Sequence, residues 1–124
     1  MRDIKVLYVD DDIINRTLLK KILEKNPYVY EVLEAKDGKE ALEILNKNPD
    51  IDFVLLDIIM PNLDGIGMLK FMKKDPRFKE IPVVVLSTDD SQKTRAIEAG
   101  ANDFIYKPIK ESTLTEKIKK FSNL

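Results

Sequence analysis

Residues 53–57 read Phe-Val-Leu-Leu-Asp, four apolar residues in a row followed by an acid. An apolar run without a polar face fits a strand that is covered on both sides, as strands of a parallel sheet usually are. A second run of the same kind, Val83-Val84-Val85-Leu86, ends at Ser87. The two runs predict the centre of a parallel sheet with helices on both faces.

Three more short runs rich in apolar and β-branched residues alternate with longer segments of helical period. This alternation is typical of βαβ units. The predicted strands are Lys5–Val9, Tyr30–Ala35, Phe53–Leu56, Val83–Leu86 and Phe104–Tyr106. The sequence therefore predicts an α/β fold of three layers, formed by a single domain over residues 1–124.

Apolar residues recur at helical spacing between these strands, and we expect the stripes that they form to be core. The first three stripes are Ile14, Leu18 and Ile22; Met68, Leu69 and Met72; and Leu114, Ile118 and Phe121. Ala41, Leu42 and Leu45 mark a helix after Gly38, and a helix over residues 91–99 is expected to end at Gly100.

Composition excludes several classes of function. The chain has no cysteine and no histidine, so disulfides and thiolate sites are excluded, and any catalysis rests on carboxylates, hydroxyls, lysines and a hard cation. Its 21 basic and 22 acidic residues argue against direct binding of nucleic acid. No apolar run reaches the roughly 20 residues of a membrane span, and the charges within residues 1–9 argue against a signal peptide. We expect a soluble, cytoplasmic protein.

Four of the five predicted strands end in residues that can take part in chemistry. They lead into Asp10-Asp11-Asp12, Asp57, Ser87-Thr88 and Lys107-Pro108. The carboxyl ends of parallel strands meet at one edge of the sheet, where ligands of such folds bind. Each signal alone has an ordinary explanation, because Asp often caps helices and Lys is usually a solvated charge. Their coincidence at one edge favours a functional site.

Phosphoryl transfer onto a carboxylate fits this set of residues. Its transition state spreads negative charge over several oxygens, so positioning and electrostatic stabilisation dominate catalysis. Asp57 is suited to act as the nucleophile. A Mg²⁺ ion would relieve the repulsion between Asp57, Asp10 and Asp11. Lys107 and the Ser87 hydroxyl can bind the transferred oxygens.

With these motifs, the sequence resembles the receiver domains of two-component response regulators over nearly its whole length. The matching segments are residues 6–12, residues 55–61 with Asp64-Gly65, residues 85–87, Gly100-Ala101 and Lys107-Pro108. The resemblance implies a doubly wound, flavodoxin-like (βα)5 fold with strand order 2-1-3-4-5.

The resemblance also implies a role for each residue of the site. Asp57 would be the phosphoacceptor, Ser87 the switch hydroxyl and Lys107 a phosphoryl contact. Asp10, Asp11, Asp57 and the backbone carbonyl of Ile59 would bind Mg²⁺, for which Mn²⁺ can substitute. Phe104 stands where the family has a switch aromatic that is often Tyr. Any output that depends on a hydroxyl at that position is therefore not expected.

The implied partners are a sensor histidine kinase or a histidine phosphotransfer protein, and a downstream protein or effector domain. Because the chain lacks histidine, it cannot be its own phosphohistidine donor. We expect a monomer or a weak phosphorylation-dependent dimer. We also expect a switch that catalyses only its own phosphorylation and dephosphorylation, rather than an enzyme.

Two alternatives remain open. A haloacid-dehalogenase-type phosphohydrolase would use Asp10 as its nucleophile, with Ser87 and Lys107 as later motifs, but this alternative leaves residues 57–61 unexplained. A pseudo-receiver would act as an interaction module without phosphorylation, against which the complete set of site residues argues.

Residues near the nucleophile also bear on the lifetime of the acyl phosphate. The branched apolar Ile59, two residues after Asp57, offers no hydrogen bond to an attacking water, whereas Asp89 could orient one. We expect the effect of Ile59 to outweigh that of Asp89. Hydrolysis of the acyl phosphate is therefore expected to be slower than in single-domain chemotaxis regulators.

Overall fold

The structure is a computed structural model that describes residues 3–57, 65–87 and 90–122. Strands and helices alternate along these residues: β1 Ile4–Val9, α1 Ile13–Glu24, β2 Val29–Ala35, α2 Gly38–Lys47, β3 Phe53–Asp57, α3 Gly65–Lys74, β4 Val83–Ser87, α4 Asp90–Glu98, β5 Asp103–Tyr106 and α5 Glu111–Ser122. The five predicted strands are confirmed, and each is one residue longer than predicted.

The strands form one parallel sheet in the order β2-β1-β3-β4-β5, which confirms the predicted flavodoxin-like topology. At the carboxyl end of the sheet, Val9 of β1 pairs with Leu56 of β3, and Asp57 pairs with Leu86 of β4. Ser87 pairs with Tyr106 of β5. This register brings the ends of four strands to the same edge.

Alternate residues of the central strands face two different cores, because side chains of a strand point to opposite faces in turn. Val6 and Tyr8 of β1 belong to a core that contains residues of α1 and α5. Leu7 and Val9 belong to a second core, which contains residues of α2, α3 and α4. The sheet is therefore covered on both faces, which explains why β3 and β4 are apolar throughout.

The prediction for the first helix was wrong for Ile14 and Leu18, whereas Ile22 packs partly buried against the core that contains Val6 and Tyr8. Ile14 and Leu18 are 66% and 58% exposed, whereas Leu19 and Leu23 are buried. The helix carries two apolar stripes at four-residue spacing, one through Ile14 and Leu18 and the other through Leu19 and Leu23. Spacing alone cannot choose between them, since the choice depends on how the helix lies on the sheet. Part of the apolar surface of α1 consequently faces outward.

The other predicted stripes are confirmed. Met68, Leu69 and Met72 are buried, as are Leu114 and Ile118, and Phe121 packs half-buried against the core that contains Val6 and Tyr8. Gly100 follows α4 with φ of 113°, a left-handed conformation that favours glycine, and a Cβ there would lie 2.7 Å from the Lys73 side chain. Within the described part of the chain, every helix is too short or too polar to cross a membrane.

Candidate functional site

Three carboxylates gather at the carboxyl edge of the sheet. One oxygen each from Asp10, Asp11 and Asp57 lies within 4.8 Å of the other two. Asp10 and Asp57 are buried and Asp11 is exposed. Negative charges this close repel one another, and carboxylate oxygens are the ligands that Mg²⁺ prefers. The donor set therefore fits a hard divalent cation.

Hydrogen bonds to both its side chain and its backbone hold Asp10 in place. Its Oδ2 accepts a hydrogen bond from the Tyr8 hydroxyl at 2.5 Å, and its Oδ1 accepts one from the backbone N–H of Asp12 at 2.9 Å. Its own amide donates to the carbonyl of Ala35, and Nη1 of Arg16 donates to its carbonyl at 2.7 Å. A carboxylate with both oxygens engaged suits a fixed ligand better than a nucleophile.

The three consecutive acids at residues 10–12 have two different roles. Asp12 is the N-cap of α1, and its Oδ1 accepts a hydrogen bond from the Ile14 N–H at 2.9 Å. The ordinary explanation for Asp at a helix start thus applies to Asp12. Asp10 and Asp11 instead belong to the acidic cluster.

Lys107 reaches the cluster from the segment after β5. Its Nζ lies 3.0 Å from Oδ2 of Asp57, and the Asp57 side chain is only 9% exposed. The Lys107 N–H donates to the carbonyl of Ser87 at 3.0 Å, which ties the ends of β4 and β5 together. The peptide bond between Lys107 and Pro108 is cis. The ammonium can therefore balance charge on Asp57 or on a group bound to it.

Ser87 is the last residue of β4 and is 1% exposed. Because Asp57 pairs with Leu86, Ser87 stands one residue further along the neighbouring strand. The structure thus gathers Asp10, Asp11, Asp57, Ser87 and Lys107 at one edge, as the sequence predicts.

Phe104 lies beside this edge on β5 and is half-buried. Its ring meets that of Tyr106 edge-on, with 5.0 Å between the ring centres, and the Nζ of Lys93 lies over it. The Tyr106 hydroxyl donates to Oδ1 of Asp90 at the start of α4. Phe104 is therefore part of a contact between two aromatic rings of β5 and two polar side chains of α4, Lys93 and Asp90.

Two predicted participants lie outside the described residues. These are the backbone carbonyl of Ile59, predicted to bind the cation, and Asp89, predicted to influence hydrolysis. Their roles stay predictions.

Sequence reasoning missed Tyr8. Burial raises the pKa of its phenol, and the hydrogen bond to Asp10 and the charges of Asp10 and Asp57 act in the same direction. The phenol therefore stays protonated and able to donate. Its position two residues before Asp10, which directly follows β1, was the available signal, because residues two apart in extended chain point to the same face.

Known proteins are similar to this chain in both sequence and fold. The family described as "Response regulator receiver domain" matches residues 6–119. The two-component response regulator ORR3 of Oryza sativa is 37% identical over 112 residues, which cover 89% of this chain and 84% of that protein. Chemotaxis protein CheY1 of Helicobacter pylori is 37% identical over 116 residues, 92% of this chain and 93% of that protein.

Among solved structures, the receiver domain of Francisella response regulator 1452 superposes with a TM-score of 0.85. It is 32% identical and covers 98% of each chain. The similarity thus extends over nearly the whole length in sequence and in structure.

Proposed function

Because this chain belongs to the response regulator receiver domain family, we propose that it is a phosphorylation switch in which Asp57 accepts a phosphoryl group. One observation carries the proposal. Asp57 is at once a member of the acidic cluster and 3.0 Å from the ammonium of Lys107. A carboxylate between a cation-binding cluster and a fixed positive charge is well prepared to receive a dianionic group.

In the proposed reaction, an Asp57 oxygen attacks the phosphorus of a phosphohistidine. The P–N bond breaks as the P–O bond forms, and the histidine nitrogen leaves with the electron pair and takes up a proton. The Lys107 ammonium, which pairs with the Asp57 carboxylate before transfer, then binds the phosphoryl oxygens. The Ser87 hydroxyl, at the end of the neighbouring strand, is proposed to donate to another of them.

Asp10, Asp11 and Asp57 would hold Mg²⁺, or Mn²⁺ in its place, and the bound cation would supply positive charge to the transferred oxygens. This assignment is supported by the closeness of the three carboxylates. Asp10 has both oxygens hydrogen-bonded, so it is a ligand in this proposal and not the nucleophile. The phosphohydrolase alternative, which needs Asp10 to attack, is therefore disfavoured.

A phosphohistidine donor has to lie outside residues 1–124, because these residues contain no histidine. We propose that a histidine kinase or a histidine phosphotransfer protein docks on the apolar residues that α1 exposes, Ile13, Ile14 and Leu18. They follow the acidic run directly along the chain, so a protein bound there would be close to Asp57.

The response is proposed to involve the contact between Phe104 of β5 and Lys93 of α4. If Ser87 moves toward the phosphoryl group, the space it leaves can accept an inward-turning Phe104, which would change the surface presented to a downstream protein. The chain would then act in the cytoplasm as a switch, and its site would catalyse only its own phosphorylation and dephosphorylation.

The test is incubation with acetyl phosphate and Mg²⁺, followed by borohydride trapping to locate the acyl phosphate. We expect label on Asp57, and its loss in Asp57→Asn or when the metal is chelated. Asp12→Asn is the matched control, because it changes an acid of the same run but keeps a capping side chain. Label on Asp10 would support the phosphohydrolase, and no label would support the pseudo-receiver.

A further inference from the structure

We propose that Tyr8 is a positioning residue of the acidic cluster, whose phenol fixes the Asp10 carboxylate for binding of a divalent cation. The inference rests on the proposed function only in assuming that the cluster binds Mg²⁺. Tyr8 is 2% exposed, and its hydroxyl donates to Oδ2 of Asp10 at 2.5 Å.

The hydroxyl is not needed to fill the core. The Tyr8 ring belongs to the core that includes Leu19, Leu23 and Phe53, where a phenylalanine ring would bury the same carbons. A hydroxyl is costly to bury unless it has a hydrogen-bond partner. In the described part of the chain that partner is Asp10, so the presence of the hydroxyl is explained by the carboxylate that it contacts.

Two donors hold the Asp10 carboxylate from opposite ends. Tyr8 binds Oδ2 while the backbone N–H of Asp12 binds Oδ1, so rotation about the last side-chain bond would break both hydrogen bonds. Each carboxylate oxygen keeps further acceptor capacity for a cation. A ligand that is already oriented does not have to be ordered when the cation binds, and this raises affinity.

Packing alone does not hold Asp10 in place. A cavity of about 460 Å³ lies between α1 and the segment after β5, and its lining includes Tyr8, Asp10, Leu19 and Lys107. Without the phenol bond, the carboxylate has room to turn toward this cavity and away from Asp11 and Asp57. The phenol bond is therefore one of two restraints, with the Asp12 N–H, that keep the Asp10 carboxylate beside Asp11 and Asp57.

The first test compares Tyr8→Phe with Tyr30→Phe by isothermal titration with Mg²⁺. Tyr30 is 57% exposed on the neighbouring strand and serves as the control. We expect Tyr8→Phe to weaken Mg²⁺ binding about ten-fold, the effect typical of losing a hydrogen bond to a metal ligand, and Tyr30→Phe to leave it unchanged. Thermal unfolding without metal checks that both variants are folded.

The second test uses the unaltered chain, labelled with ¹³C at the tyrosine ring carbon that bears the hydroxyl. Phe variants at Tyr28, Tyr30 and Tyr106 assign three of the four signals and leave that of Tyr8. We expect the Tyr8 signal to shift as Mg²⁺ is added, because the carboxylate that it contacts loses negative charge to the cation. A role confined to core packing would not produce this shift.

The outcomes separate the two proposals. If the unaltered chain binds Mg²⁺ but Tyr8→Phe binds within about two-fold of it, or the Tyr8 signal does not move, the Tyr8 inference is overturned and the phosphorylation switch stands. If the unaltered chain binds no Mg²⁺, both are overturned.

Discussion

Lys93 of α4 holds its Nζ 3.8 Å from the centre of the Phe104 ring on β5. The ring also meets Tyr106 edge-on. A cation over an aromatic face contributes about 0.5–1 kcal/mol at exposed sites. Because an inward turn of Phe104 breaks this contact, Lys93 opposes the proposed switch and favours the unphosphorylated arrangement.

We therefore predict that Lys93→Ala makes the switch easier. Loss of about 0.5–1 kcal/mol raises the fraction of inward Phe104 by roughly two- to five-fold wherever that fraction is small. Amide and aromatic NMR spectra, recorded with and without beryllofluoride, measure this fraction. Lys119→Ala, which removes a cation 5.6 Å from the Tyr28 ring centre, is the control. The switch is refuted if beryllofluoride perturbs only residues around Asp57.

The acidic cluster is expected to cost stability when no cation is bound. Asp11 adds a third carboxylate to the two buried ones, so Asp11→Asn removes repulsion and is predicted to raise Tm in chelator by about 2 °C. Mg²⁺ should raise Tm of the unaltered chain by mass action and that of Asp11→Asn much less. Thermal unfolding with chelator and with Mg²⁺ measures both effects.

Asp3→Asn is the control for this measurement, because Asp3 is an exposed acid that precedes β1 at the opposite end of the sheet. It removes one charge without touching the cluster. Equal responses of Asp3→Asn and Asp11→Asn to Mg²⁺ would mean that Asp11 does not contribute to binding of the cation.

Most of the fold could be predicted because its signals are local. The apolar runs of β3 and β4 predicted the centre of the sheet, and the residues that follow four strands predicted the edge where the site lies. The outward face of α1 could not be predicted, because Ile14 and Leu18 repeat at the same spacing as Leu19 and Leu23. Sequence spacing does not record which stripe meets the sheet.

The contacts that hold the site residues were harder to predict than the residues themselves. Arg16 reaches the Asp10 carbonyl from α1, and Lys93 reaches Phe104 from α4. Each contact joins two elements whose relative position depends on tertiary packing. The contact of Tyr8 was missed as well, although its two-residue spacing from Asp10 was visible in the sequence.

The free energy of unfolding is expected to depend on pH through the carboxyl group of Asp103. Burial raises the pKa of Asp103, but hydrogen bonds from Nζ of Lys117 and the N–H of Phe104, with the charges of Lys117 and Lys120, lower it below the ordinary value of 3.8. The folded state therefore holds fewer protons on Asp103 than the unfolded state does. The stabilisation is fully present above 3.8 and is lost as pH falls through the lower, folded pKa.

We predict that Asp103→Asn lowers the free energy of unfolding at neutral pH by about 1 kcal/mol or less, since the contacting lysines are partly exposed. The difference from the unaltered chain should shrink as pH falls below 3.8. Urea unfolding of both proteins across this range tests it, with Asp3→Asn as control. A difference that does not change with pH would mean that the ion pairs of Asp103 do not contribute to the free energy of unfolding.

The outward face of α1 gives the last prediction. Ile14 and Leu18 are 66% and 58% exposed, so replacing both with Ser removes apolar surface without opening a cavity in either core. Acetyl phosphate needs only the site and should phosphorylate Ile14→Ser/Leu18→Ser as fast as the unaltered chain. A phosphohistidine protein must also dock, and burial of two such side chains contributes several kcal/mol, so its transfer should slow by at least about ten-fold.

Phe71→Ser is the matched control for this experiment, because Phe71 is 55% exposed on α3 and lies away from α1. Radiolabel transfer from a phosphorylated histidine phosphotransfer protein, run beside the acetyl phosphate reaction, measures both rates for each variant. Equal slowing with both donors would place the defect in the site. Equal transfer by the α1 variant and the Phe71 variant would mean that the donor docks elsewhere, because only a protein donor has to cover the surface beside Asp57.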